Sequence, residues 1–208
     1  MKKIIVFGAT GSIGQQVVKQ ALEAGHQITA FTRNKAKVSM EHAHLRIVEG
    51  DVLDAHSVEK AIEGHQVVIC ALGAGRKGTV RSLGTKHIIQ GMQKHGIDRL
   101  ICQTTLGAGD SEPTLNFFWR HIMFGWFLKK AYLDHQEQET EIRNSHTAWT
   151  IVRPAAFTDG PLTKTYQHGF SAYDSDLRLK ISRSDVAHFM LQQLDNKAYL
   201  RKSPGLSY

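Results

Sequence analysis

The feature that most constrains this chain is a glycine-rich stretch over residues 4–14, with the sequence IIVFGATGSIG. Its four opening apolar residues are mostly β-branched, which is typical of a buried parallel strand. Residues 15–24, which follow it, have the composition of a helix. A strand, a glycine-rich turn and a helix in this order predict a site for the phosphates of a dinucleotide.

Each glycine of the stretch has its own expected role. Gly8 permits a tight turn at the strand end, Gly11 lets the backbone approach a pyrophosphate, and Gly14 lets the helix pack close to the strand. The spacing is GxxGxxG, whereas most dehydrogenases have GxGxxG. The alternative interpretation is a glycine-rich turn that binds no ligand.

The rest of the chain alternates between strand-like and helix-like segments. Strands are predicted over residues 27–31, 44–48, 66–71, 99–103 and 148–152, and helices over 55–63, 81–95 and 129–144. Such alternation predicts an α/β protein, a single Rossmann-like domain over residues 1–208 with a doubly wound parallel sheet. Segments near 106–132 and 155–180 are expected to form a small, largely C-terminal substrate lobe. We expect Ser184 to cap the last helix and the tail from Arg201 to be exposed.

The residues after the second strand indicate which dinucleotide is bound. They read Thr32-Arg33-Asn34-Lys35, and no acidic residue lies between Glu23 and Glu41. An NAD site places an acid at this strand end to hold the ribose 2′-hydroxyl, whereas an NADP site places an arginine there for the 2′-phosphate. The sequence therefore predicts NADP(H), with Arg33 on the phosphate. A solvated basic loop is the alternative.

The basic character of the chain raises nucleic acid as a partner. The formal net charge is +7, but the basic residues are spread out, without an arginine-rich run or an aromatic–basic repeat. This distribution argues against nucleic acid. Two loose basic clusters, within residues 33–37 and 76–81, fall where a phosphorylated cofactor or an anionic substrate would lie. The predicted partner is a small-molecule substrate, and the protein is expected to be a monomer or a homodimer.

The remaining composition excludes several other classes. His42 and His44 are a close histidine pair without a cysteine nearby, so no metal site is predicted. Cys70 and Cys102 lie in apolar runs and are expected to be reduced core thiols, with a disulfide as the alternative. The apolar run near the N-terminus is too short for a signal peptide, and no stretch is long enough to span a membrane. We therefore expect a cytoplasmic protein.

Residues 116–128 concentrate large apolar side chains on every side of a predicted helix. Three interpretations remain open for this segment: a packed core or dimer helix, a wall or lid over an aromatic substrate, and a contact with a membrane surface. The segment carries the predicted substrate residues Phe117, Phe118 and Arg120. Arg76, in a preceding loop, is a further candidate for attracting an anionic substrate.

Five motifs together resemble a known family. GATGSIG, TRN, GDVLD, WTIVRP and ISRSDVA are similar to motifs of the atypical short-chain dehydrogenase/reductases, in particular the biliverdin-IXβ reductase/flavin reductase type. The resemblance covers nearly the whole chain. Individual motifs are shared with NmrA-like proteins and sugar epimerases.

The resemblance implies which residues bind NADP(H) and which approach the reacting groups. The implied cofactor residues are Gly8, Thr10, Gly11, Ser12, Ile13, Arg33, Asp51, Val52, Leu72 and Gly73, to which we add Gly14, Thr104 and Pro154. Thr105 takes the place of a family serine near the nicotinamide, and His135 matches a family histidine, so both are candidate catalytic residues. A second family histidine is replaced by Ala156.

The chain lacks the tyrosine–lysine pair that most short-chain dehydrogenases use for catalysis, and this absence indicates the type of acceptor. Most short-chain dehydrogenases use a tyrosine and a lysine four residues later to move a proton, and no tyrosine here has a lysine at that spacing. A planar conjugated acceptor, either a flavin or a biliverdin-type tetrapyrrole, needs less help with its proton. The sequence predicts an NADPH-dependent reductase for which FMN or FAD is a substrate rather than a bound prosthetic group. An NmrA-like NADP(H) sensor without turnover is the alternative.

Overall fold

The computed structural model describes residues 1–75, 78–115, 122–123, 126–170 and 176–208. The strands in this part of the chain are β1 (Lys3–Phe7), β2 (Gln27–Thr32), β3 (Leu45–Glu49), β4 (Val67–Cys70), β5 (Arg99–Gln103), β6 (Ala148–Pro154), β7 (Ala156–Thr158), β8 (Gln167–His168), β9 (Lys180–Ser182) and β10 (Gly205–Ser207). The α-helices are α1 (Ser12–Glu23), α2 (Ala55–Ile62), α3 (Val80–Lys94), α4 (Lys129–Arg143) and α5 (Arg183–Gln192).

The strands form one large and one small sheet. The large sheet has the order β3-β2-β1-β4-β5-β6-β10-β8, and β7 pairs with β9 in the small one. All pairs are parallel except β8 with β10. The first six positions have the Rossmann order, whose direction reverses between β1 and β4, where ligands bind. The predicted α/β, Rossmann-like single domain is confirmed.

The two faces of the sheet carry separate apolar cores because successive side chains of a strand point to opposite faces. Ile4 and Val6 of β1 pack with α1 and α5, whereas Ile5 and Phe7 pack with α2, α3 and α4. The helices therefore clamp the sheet from both sides and hold the carboxyl ends of its strands in a fixed array.

Two expectations about the C-terminal region are wrong. The side chain that caps α5 is that of Ser182, which accepts a hydrogen bond from the Asp185 N–H at 3.0 Å, and not that of Ser184. The tail from Arg201 does not remain exposed, because β10 joins the sheet beside β6 and Leu206 is fully buried. This pairing joins residues far apart in sequence, so local polarity does not reveal it.

The other element bounds agree with the sequence within a few residues. Helix α1 begins at Ser12, three residues before the predicted start, and Asp54 caps α2 as expected. The predicted loop over residues 106–114 contains a short 3₁₀ helix, Gly109–Thr114. Most of the aromatic segment 116–128 lies outside the described residues, so its predicted helix stays a prediction.

Candidate functional site

The glycine turn between β1 and α1 leaves no room for side chains at two positions. Gly8 has a φ of +81°, and a Cβ there would lie 2.3 Å from the Ala71 carbonyl oxygen. A Cβ on Gly14 would lie 2.1 Å from the Gly8 carbonyl oxygen. The turn is closed by a hydrogen bond from the Gly11 N–H to the Gly8 carbonyl oxygen at 2.9 Å. The backbone is thus packed against β4, and α1 begins directly at the sheet edge.

The N-terminus of α1 has the features of an anion site. No side chain caps it, whereas α2 is capped by Asp54 and α5 by Ser182. Its first N–H groups therefore lack side-chain acceptors, and they stand at the positive end of the helix dipole. No acidic residue occupies its first turn to compete for that position. A phosphate is the group that such a helix end stabilises best.

A cavity of about 630 Å³ extends from this turn along the carboxyl ends of the strands. All the predicted cofactor residues except Gly14 and Pro154 line it: Gly8, Thr10, Gly11, Ser12, Ile13, Arg33, Asp51, Val52, Leu72, Gly73 and Thr104. Gly14 instead supports the turn from behind, and Pro154 lies in β6, where its carbonyl oxygen accepts a hydrogen bond from Leu106. The cavity, its uncapped helix end and Arg33 together fit a phosphorylated dinucleotide.

Both candidate catalytic residues, Thr105 and His135, line the same cavity. The Thr105 hydroxyl is 3.3 Å from the Leu106 carbonyl oxygen, a long hydrogen bond that leaves its lone pairs available. The neighbouring Thr104 hydroxyl is committed, since it donates to a Glu139 carboxylate oxygen at 2.8 Å. Of these two threonines, Thr105 therefore has the hydroxyl that is free to act in the cavity.

The Thr104 contact belongs to a buried ionic cluster that fixes the loop after β5. The Arg153 guanidinium makes two hydrogen bonds to the Glu139 carboxylate, of 2.9 and 2.6 Å, and a third of 2.7 Å to Asp110. Arg153 and Glu139 are both almost completely buried. A buried bidentate pair of this kind is geometrically specific. It ties α4, β6 and the 3₁₀ helix together behind Thr104 and Thr105.

His135 is buried on the cavity side of α4 and is held neutral. Burial, followed by the positive charge of Arg81, lowers the pKa of His135 to about 4. Its Nδ1 lies 3.1 Å from Gln138 Oε1, an acceptor, so Nδ1 carries the proton. The Gln138 amide is itself oriented by donating to Thr85 Oγ1 at 2.9 Å. Within the described residues no hydrogen bond reaches Nε2, so its lone pair is available to a ligand in the cavity that His135 lines.

Residues 8–197 of the chain match the model of a protein family that is described as NAD(P)H-binding. The chain belongs to this NAD(P)H-binding family. The chloroplast protein TIC 62 of Pisum sativum is 27% identical over 237 residues, an alignment that covers 99% of this chain and 41% of the pea protein. The chain thus spans less than half the length of that relative.

Solved structures show the same fold for this NAD(P)H-binding chain. ChuY, an anaerobillin reductase from Escherichia coli O157:H7, has a TM-score of 0.83 and 24% identity, covering 99% of this chain and 96% of ChuY. A short-chain dehydrogenase/reductase from Veillonella parvula, solved in complex with NADP, has a TM-score of 0.81 and 18% identity, covering 100% and 94%. These likenesses show a shared fold, and the resemblance to atypical short-chain dehydrogenase/reductases fits them.

None of the four tyrosines that the structure describes lines the cavity of this NAD(P)H-binding protein. The Tyr132 hydroxyl donates to the Gly107 carbonyl oxygen at 3.0 Å, and burial raises its pKa further from that of a useful acid. The other three hydroxyls bond to side chains in the last part of the chain: Tyr166 to His188, Tyr199 to His168, and Tyr208 to Asp185. The missing tyrosine–lysine pair thus has no replacement by a tyrosine of the described chain.

Several cavity residues were not named individually from the sequence, although some lie in the segment near 155–180 that was expected to form the lobe. They come from the segments after β6 and around β9: Ala155, Ala156, Phe157, Leu179 and Arg183. The available signal was the position of Arg183 at a strand end, which is where ligands bind in such sheets. Of the predicted substrate residues, Arg76, Phe117, Phe118 and Arg120 lie outside the described residues, so their roles stay predictions.

The described part of the chain also bears on metal binding, membrane spanning and the state of the cysteines. It contains no group of three or more metal-ligating side chains in reach of one ion. None of its helices is both long enough and apolar enough to cross a membrane. Cys70 and Cys102 are free, buried thiols at paired positions of β4 and β5.

Proposed function

We propose that this protein is an NADPH-dependent reductase that transfers hydride to a planar conjugated acceptor, a flavin or a biliverdin-type tetrapyrrole. The observation that carries the proposal is that one cavity is lined by the uncapped start of α1, by Arg33, and by Thr105, neutral His135 and several apolar side chains. The family supports NAD(P)H as the cofactor. The fold of the anaerobillin reductase ChuY is in keeping with such an acceptor.

The choice of NADPH over NADH rests on the end of β2. Arg33 lines the cavity there, is exposed, and has no acidic neighbour in the adjoining segment. A guanidinium can bind a phosphate through two parallel hydrogen bonds, which a ribose hydroxyl does not offer.

We expect Arg33→Ala to raise the Kd of NADPH far more than that of NADH. Loss of the contact to the phosphate costs about 1.5–3 kcal/mol of NADPH binding free energy. Titration calorimetry with both cofactors measures it. Lys35→Ala is the matched control, because Lys35 is exposed on the same loop and does not line the cavity. Equal weakening of both cofactors by Arg33→Ala would contradict the assignment.

Thr105 and His135 can orient the nicotinamide or the acceptor through hydrogen bonds, but neither is a strong acid. When bound, the nicotinamide supplies the hydride. His135 can accept a hydrogen bond at Nε2, and Thr105 can donate or accept one. Since His135 holds no second proton at neutral pH, the proton that accompanies the hydride comes from solvent or from the acids of the acceptor itself. An acceptor with a conjugated ring tolerates this arrangement, whereas a simple ketone does not.

The test is turnover. The protein is mixed with NADPH and either FMN or biliverdin, and absorbance in the nicotinamide band is followed. Oxidation of NADPH that depends on the acceptor supports the proposal. Tight NADPH binding without oxidation by a panel of flavins, tetrapyrroles and quinones would overturn it in favour of an NADP(H) sensor.

A further inference from the structure

The cavity is lined by more positive than negative charge. Among its described lining residues the charged side chains are Arg33, Asp51, Arg81 and Arg183. Arg33 lies at the end of β2, on the cofactor side. Arg81 is paired with Asp134 at 3.3 Å, and both side chains are almost fully buried. Arg183 is the third cation, and it lines the cavity together with Phe157.

The surroundings of Arg183 leave much of its binding capacity unused. It is the first residue of α5, and one terminal nitrogen lies 2.6 Å from Asp159, whose side chain is 92% exposed. Its Nε is buried without a hydrogen-bond partner. An ion pair with so exposed a carboxylate contributes little, because water screens it. A ligand oxyanion that enters the cavity can therefore compete with Asp159 for the guanidinium.

An aromatic ring accompanies this cation. The guanidinium carbon of Arg183 is 5.4 Å from the ring centroid of Phe157, which is partly exposed and also lines the cavity. β7 pairs with β9, so that Phe157 lies opposite Ile181, and Arg183 directly follows β9. This pairing fixes Phe157 relative to Arg183. The result is an apolar ring face beside a cation, both on the cavity wall.

We propose that Arg183 determines acceptor specificity by binding an anionic substituent, a phosphate or a carboxylate, of the planar acceptor, with Phe157 against its apolar part. This inference rests on the proposed function and narrows its substrate class to acceptors that carry negative charge. Charge-assisted hydrogen bonds to an oxyanion are about twice as strong as neutral ones. Loss of the guanidinium therefore weakens charged acceptors selectively.

The cofactor pyrophosphate is the competing anion. Ser184, next in sequence to Arg183, lies 3.3 Å from Gln16 of α1, so the start of α5 is near the first turns of α1. The glycine turn already supplies backbone donors there. The test must therefore separate acceptor binding from cofactor binding.

The experiment compares charged acceptors with their neutral analogues on the NADP⁺-loaded protein, so that no turnover is needed. FMN is paired with riboflavin for phosphate, and biliverdin with its dimethyl ester for carboxylate. Kd values are measured for the wild type, Arg183→Gln and Arg183→Lys. Arg178→Gln is the matched control, an exposed arginine a few residues upstream that does not line the cavity.

We expect Arg183→Gln to weaken a charged acceptor on the order of tenfold or more, with its neutral analogue and NADPH unchanged and Arg183→Lys intermediate. Asp159→Asn, which releases the guanidinium, is expected to tighten the charged acceptor. The proposal is overturned if the wild type does not prefer a charged member of either pair, if charged and neutral acceptors weaken equally, or if NADPH weakens as well. Failure of turnover with intact selective binding would contradict the proposed function alone.

Discussion

At Gly14, even a methyl group is too large for the space available. Its Cβ would lie 2.1 Å from the Gly8 carbonyl oxygen, and backbone cannot move aside as a flexible side chain can. We expect Gly14→Ala to lower the free energy of unfolding by about 1–3 kcal/mol despite the better helix propensity of alanine. Urea denaturation without cofactor measures the change. Gly73→Ala, whose Cβ meets open space, is expected to stay within about 0.5 kcal/mol; equal stability of both variants would contradict the close packing.

His135 predicts a pH dependence of stability. Its pKa is lowered from 6.5 to about 4 in the folded protein, so the unfolded chain takes up the proton at higher pH. Its contribution is complete above the unfolded pKa and falls as pH drops toward the folded pKa, by up to about 3 kcal/mol.

We therefore expect the wild type to lose more stability than His135→Gln between about pH 7.5 and about pH 5. Burial also lowers the pKa of His26, His65 and His188, but their contributions to stability are the same in both proteins and cancel in the difference. Unfolding free energies from urea titrations at the two pH values measure it. Parallel loss in both proteins would show that His135 is not held neutral.

Individual site residues were predictable from the sequence where a short local pattern indicates their function. The glycine turn, Arg33 and Asp51 follow directly from strand ends, and all reach the cavity except Gly14. Arg183 and Phe157 were missed because their proximity depends on the pairing of β7 with β9. The neutral state of His135 was not predicted either, because it depends on burial of the ring by the packing of α4.

Among the elements, β10 and the residue after it hold the lobe to the sheet. The Tyr208 hydroxyl donates to Asp185 Oδ2 at 2.6 Å, and Asp185 also accepts bonds from the backbone N–H groups of Thr163 and Lys164. Burial alone would raise the pKa of Asp185, but these hydrogen bonds outweigh it and keep the pKa below the ordinary value. The carboxylate is therefore charged and dependent on its donors.

We expect Tyr208→Phe to lower the free energy of unfolding by about 1–3 kcal/mol, because it removes one donor from a buried carboxylate. Tyr199→Phe is the matched control, since its hydroxyl bonds to the exposed His168. Thermal and urea denaturation of both variants measures the effect. A Tyr208→Phe protein no less stable than Tyr199→Phe would be inconsistent with this role of Asp185.

The same elements show where sequence reasoning ends. Strands β1 to β6 and helices α1 to α4 were predicted within a few residues from their own local sequence. The short strands β7, β8 and β10 contain two or three residues each, too few for a period to be visible. They exist because a neighbouring strand offers hydrogen bonds, which is information that resides in the assembled sheet.

At the scale of the whole molecule, one side of the sheet has strands of five or six residues and the other side ends in strands of two or three residues. β1, β2 and β3 pair within residues 3–49, whereas β6 pairs with β10 and β10 with β8. A strand of two or three residues makes few ladder hydrogen bonds, so its pairing opens locally more easily than that of a longer strand. The dinucleotide side of the cavity belongs to the first group, and the lobe side is tied to the second.

This asymmetry predicts the order in which amide protons exchange with deuterated solvent. The amides of Arg153 and Ala155, which donate to the β10 segment, are expected to exchange through a local opening well before those of Val6 and Ile69. NMR or mass spectrometry under native conditions resolves the two groups. Because Tyr208 leaves with β10, such an opening would remove one hydrogen-bond donor from the Asp185 carboxylate while the β1–α1 turn stays packed against the segment after β4.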